Sequence, residues 1–67
     1  MINPLTRREA EVIEHAARGM TRAESADRMG ISTEGVKQHL RHISNKWGTY
    51  NITHSVAIAV REGICTP

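Results

Sequence analysis

Apolar residues recur along this chain in steps of three and four, and the polar residues between them mark helix ends. Thr6-Arg7-Arg8-Glu9 has the form of a capping box, in which a Thr hydroxyl takes one free backbone amide and a Glu reaches back to another. The helix it opens sets Val12, Ile13, Ala16, Ala17 and Met20 on one stripe, with Gly19 as a natural stop after Arg18. Thr21-Arg22-Ala23-Glu24 repeats the box ahead of a short helix that turns Ala26 and Met29 inward and ends at Gly30. Ser32 is placed to cap a third helix, whose Val36, Leu40, Ile43 and Trp47 are spaced four, three and four before Gly48 closes it. Asn51 opens a fourth, with Ile52, Val56 and Val60 at every fourth position and Gly63 beyond its end. No period of two is sustained, so the expected fold is all-α: four short helices joined by tight turns.

Length and composition narrow this further. The 67 residues make one domain, residues 1–67, with no linker or repeat. A chain this short buries only roughly 60% of the surface its unfolded form exposes, so its core is thin. There is no Phe, and Trp47 and Tyr50 are the only large aromatics, which leaves aliphatic residues and Ala to fill the interior. The single cysteine, Cys65, excludes an internal disulfide and suits a reducing cytoplasm. No apolar run nears the roughly 20 residues of a membrane span, and Met1-Ile2-Asn3-Pro4 is no signal peptide. Up to residue 32, five arginines face five acidic residues; from residue 33 on, Lys37, Arg41, Lys46 and Arg61 face only Glu34 and Glu62. The formal excess of +2 therefore lies wholly in the second half. A cationic cluster fits a polyanionic partner, and equally a solvated helix face.

Glu24 to Arg41 has the layout of a helix-turn-helix. Ala26 is the small residue where two helices cross closely, and Gly30, four positions later, suits a turn that needs positive φ. Met29, Ile31 and Val36 fall at the apolar positions that lock the pair. On the second helix Glu34, Lys37, Gln38, Arg41 and Asn45 lie three to four residues apart, giving one face of long polar side chains for base edges and phosphates.

The stretch Leu5-Thr6-Arg7-Arg8-Glu9-Ala10-Glu11-Val12-Ile13 resembles the opening signature of LuxR-type (GerE-like) helix-turn-helix DNA-binding domains. The resemblance runs without gaps through Ala17, Gly19, Glu24, Ala26, Ile31-Ser32, Val36-Lys37, His39, Ile43, Lys46, Gly48, Asn51 and Gly63, and covers residues 5–64. It implies a four-helix domain whose third helix enters the major groove and whose fourth supports dimerisation. Carried over position by position, Lys37, Gln38 and Arg41 match residues that face base edges, and Lys46 one near the DNA backbone. Arg22, at the start of the second helix, joins the expected DNA-contacting set with Glu34 and Asn45. Ile52, Val56, Ile58, Ala59 and Val60 form the expected dimer surface, because apolar residues wrap further round the fourth helix than one buried face needs. The chain departs from the family pattern at His15 and Ser25, both apolar in relatives. It departs again at Gly35 for Thr, Trp47 for Leu, and Ile52 for a frequent Arg.

The remaining polar residues suggest no other chemistry. His39 and His42 stand three apart, but no Cys or second pair joins them as metal ligands, so no metal or cofactor is expected. His39 is expected to face inward opposite Ser25, while His15, His42 and His54 suit the surface or caps. No nucleophile elbow, Gly-rich phosphate loop or paired buried carboxylate is present, so the chain is not read as an enzyme. The expected function is sequence-specific transcription regulation on double-stranded DNA, as a homodimer in the bacterial cytoplasm, encoded by the bacterium or by a phage in that host. Met1 ahead of a short tail favours a stand-alone regulator over a fragment. The alternative is a module that binds another transcription regulator, a sigma factor or RNA polymerase instead of DNA.

Overall fold

A computed structural model describes residues 4–64 of the chain. It holds α1 (Arg7–Ala17), α2 (Arg22–Met29), α3 (Thr33–Trp47) and α4 (Ile52–Arg61), and no strand among the described residues. Each helix starts where its cap is encoded. Glu9 N donates to Thr6 Oγ1 at 3.2 Å while Thr6 N donates to Glu9 Oε1 at 2.8 Å. The second box closes in the same way, with Glu24 N on Thr21 Oγ1 at 3.1 Å and Thr21 N on Glu24 Oε1 at 2.9 Å. Ser32 Oγ accepts from Gly35 N and Asn51 Oδ1 from His54 N. Two helices end on a left-handed glycine, Gly30 at φ 68° and Gly48 at φ 65°, a conformation that costs a residue with a Cβ more than it costs glycine.

The interior is two small clusters that share Leu40. Val12, Ala26, Met29 and Val36 join α1, α2 and α3, with Ile31 and Leu40 against them. Ile13, Ile43 and Ala59 join α1, α3 and α4, flanked by Leu5, Ala17, Leu40, Trp47 and, from α4, Ile52, Val56 and Val60. Adjacent residues Val12 and Ile13 thus anchor both clusters, each at most 1% exposed. Burying one such side chain is worth about 1.5–3 kcal/mol, so a domain with so few of them has little to spare. α3 packs on the other three helices and is held like a rod in a cradle.

Several expectations change here. The buried line of α4 is Ser55 and Ala59, and Ile52, Val56 and Val60 flank it half-buried. Ser55 tolerates burial because its hydroxyl bonds Thr49 Oγ1 at 2.7 Å and Asn51 O at 3.3 Å. Ala59 is fully buried against Ile13 and Ile43, so it cannot belong to a dimer surface: only a residue without bulk fits where α4 crosses so closely. Ser25 is buried, but its partner is Nδ1 of His15 on α1, at 2.7 Å, and not His39 on α3. His15 is accordingly half-buried and not a surface residue. Trp47 is half-buried on the edge of the second cluster and is not its largest sealed member. Cys65 lies outside the described residues.

Candidate nucleic-acid interface

α3 has two unlike sides because its apolar and polar residues alternate with the helical repeat. Val36 and Ile43 are sealed against the other helices. Glu34, Lys37, Gln38, Arg41 and Asn45 are all exposed and, by their spacing, form one outer stripe. The α2–α3 turn at Gly30 brings Ile31 N onto Ala26 O at 3.0 Å, and Ile31 packs into the first cluster. α2 is therefore a fixed brace behind α3, and Arg22 stands exposed at its first position.

The stripe is electrostatically mixed. Lys37 Nζ donates to Glu34 Oε1 at 3.4 Å, with both side chains largely in solvent, so water and salt weaken the pair and it opens readily. Arg41 makes no ion pair with the described residues. Two long cationic side chains and a Gln amide thus lie within three turns of one rigid helix, which suits bidentate contacts to guanine and adenine edges.

Lys46 stands apart. Its ammonium donates to Glu9 Oε1 at 2.6 Å and reaches Pro4 O at 3.4 Å. Glu9, whose place in the sequence signals only a cap, is also a buried carboxylate; its side chain is 4% exposed, and His42 Nδ1 lies 4.0 Å from its other oxygen. Burial acts to raise its pKa, but the Lys46 hydrogen bond, the Thr6 amide and the Lys46 charge outweigh burial. Together they hold the carboxyl below the usual glutamate value. Lys46 therefore ties the start of α1 to the end of α3. The only signal for it in the sequence is an acidic capping residue and a lysine 37 positions apart, which no local pattern links.

The five residues expected at a dimer surface do not share one environment. Ala59 is sealed, and Ile52, Val56 and Val60 pack against the second cluster. Ile58 is half-buried and is not among the residues packed on either cluster. Tyr50 is 93% exposed and stacks on the ring of His54 at 6.3 Å. No described group of His, Cys, Asp and Glu has the arrangement of a metal site. No helix among the described residues is long and apolar enough to cross a membrane.

Residues 3–59 match the family described as bacterial regulatory proteins, luxR family. The chain is 38% identical over 63 residues to the transcriptional activator protein BjaR1 of Bradyrhizobium diazoefficiens, covering 94% of this chain and 26% of that one. It is 33% identical over 64 residues to the uncharacterized transcriptional regulatory protein YxjL of Bacillus subtilis, covering 96% and 29%. The chain thus spans under a third of the length of these two relatives. Its fold is similar to that of the transcription factor GerE, with a TM-score of 0.88 at 22% identity over 92% of each chain. It is also similar to part of VqmA bound to DPO, with a TM-score of 0.83 at 28% identity over 90% of this chain and 30% of that one. With four helices in this arrangement and the family matched over most of its length, the chain is a helix-turn-helix domain of the luxR family of bacterial transcription regulators, which are not enzymes.

Proposed function

We propose that this domain binds double-stranded DNA sequence-specifically, with α3 in the major groove, and so regulates transcription in the cytoplasm of a bacterial or phage-infected cell. The observation that carries this is the outer stripe of α3, exposed along its length while the same helix is braced by the other three. Lys37, Gln38 and Arg41 read base edges, and Glu34 accepts from a cytosine amine once its pair with Lys37 opens. Asn45 and Arg22 contact the backbone, and phosphate neutralisation supplies the salt-sensitive share of affinity. Lys46 contributes less than its charge suggests, because Glu9 already holds it.

A two-fold dimer would place two α3 helices about 34 Å apart, one helical turn of DNA. Ile58, left outside both core clusters, is the residue on which such a contact would centre.

The reading in which another transcription protein takes the place of DNA rests on exposed Tyr50 and the modest charge of +2. Titration of a labelled random duplex at low salt separates the two. DNA binding predicts a measurable affinity that Lys37→Ala and Arg41→Ala both weaken; a protein-only module leaves the duplex unbound.

A further inference from the structure

Where α1, α2, α3 and the start of α4 meet, they leave an open cavity of about 520 Å³. Its walls are aliphatic, with Val12 and Ala16 from α1, Val36 and Leu40 from α3, and Ile52 from α4. α2 brings a different chemistry to the rim. Arg22 is exposed there and, among the described residues that line the cavity, is the only charged one. Ser25 also lines it, with a buried hydroxyl held by His15 at 2.7 Å. The capping box uses the amides of Thr21 and Glu24 and leaves those of Arg22 and Ala23 without an intrahelical acceptor. The Glu24 carboxylate stands at the same helix start, but it is turned to the Thr21 amide and does not line the cavity.

The volume lies within the roughly 300–1,000 Å³ typical of small-molecule sites, and an apolar pocket with a few convergent polar groups is their usual make-up. Isoleucine at position 52 gives the cavity an apolar wall on the side of α4.

We propose that this cavity binds a small amphiphilic carboxylate, its aliphatic part against Val36, Leu40 and Ile52 and its anionic head on Arg22. A cationic ligand would be repelled at the rim, and a neutral one would leave the guanidinium unused. Such binding needs no DNA, so it is tested apart from the reading of α3, although it draws on the same Arg22 that is proposed to contact the DNA backbone.

The test is a heteronuclear NMR titration of the 67-residue chain with decanoate below its micellar range, and with decanol as the uncharged control. Decanoate produces saturable shifts concentrated on Met20 to Ser25, Leu40 and Ile52, and decanol binds about tenfold more weakly, the loss of one charge-assisted contact. Arg22→Gln brings decanoate down to the level of decanol, and Ala23→Trp, a change at an exposed position of the mouth, blocks both. Circular dichroism on both variants separates loss of the site from loss of the fold, and the two wild-type titrations decide without either variant. No saturable shift, or shifts away from these residues, overturns the site. Equal affinity for decanoate and decanol overturns the assignment of a carboxylate ligand.

Discussion

The Ser25 hydroxyl and Nδ1 of His15 lie 2.7 Å apart, joining α1 to α2 through a polar pair set at the edge of an otherwise apolar crossing. Each polar residue alone would weaken the helix crossing. As a pair they satisfy each other, and Ser25 also reaches Met29 Sδ at 3.8 Å. We expect His15→Ala and Ser25→Ala each to cost about 1 kcal/mol, the usual net worth of a hydrogen bond. A double-mutant cycle by urea unfolding should give a coupling of about 0.5–1.5 kcal/mol. Strict additivity would mean that the bond contributes nothing to the crossing.

Glu9 and Lys46 should govern stability in acid. The folded-state pKa of Glu9 lies below its usual value, so the unfolded chain binds its proton first as the pH falls. The contribution is therefore complete at neutral pH and is lost as the pH drops through the folded value. Glu9→Gln should lower stability at pH 7 by about 1–3 kcal/mol, and the gap to wild type should close in acid. Urea midpoints measured across the acid range check this; a gap that is constant with pH contradicts it.

Gly35 lies in the first turn of α3, and its helical backbone does not require glycine. A Cβ there would meet Ile31 Cδ1 at 3.4 Å, an ordinary contact. Gly35→Ala should stabilise the domain by about 0.5–1 kcal/mol through helix propensity, read as a rise in the thermal midpoint. A fall would show that Ile31 cannot accommodate the methyl.

Ile58 tests the proposed dimer. Sedimentation equilibrium should show wild type self-associating at tens of micromolar or on DNA, and Ile58→Glu remaining monomeric. A wild type that is monomeric under both conditions removes α4 as an interface.

What was legible in the sequence is what local chemistry encodes. The four caps, the left-handed glycines at 30 and 48 and the exposed stripe of α3 follow from spacing and from backbone amides that need acceptors. What was not legible depends on how helices cross. The sequence sets His39 opposite Ser25, and only the crossing of the helices shows that His15 is its partner. The Glu9–Lys46 pair spans 37 positions and leaves no local trace. On α4 the four-residue repeat of Ile52, Val56 and Val60 drew attention to the largest side chains, while the closest approach goes to small Ser55 and Ala59.

The central claim, that α3 docks on DNA, is tested most directly by the salt dependence of duplex binding for wild type and Arg41→Ala. Wild type should lose affinity linearly in a log–log plot, with a slope set by the phosphates it neutralises. If Arg41 reads a base, the variant should bind its selected site about 1–3 kcal/mol more weakly, with a specificity relaxed at one position. No binding to any duplex at low salt, or an Arg41→Ala curve that overlays wild type on both selected and random DNA, would contradict the docking of α3.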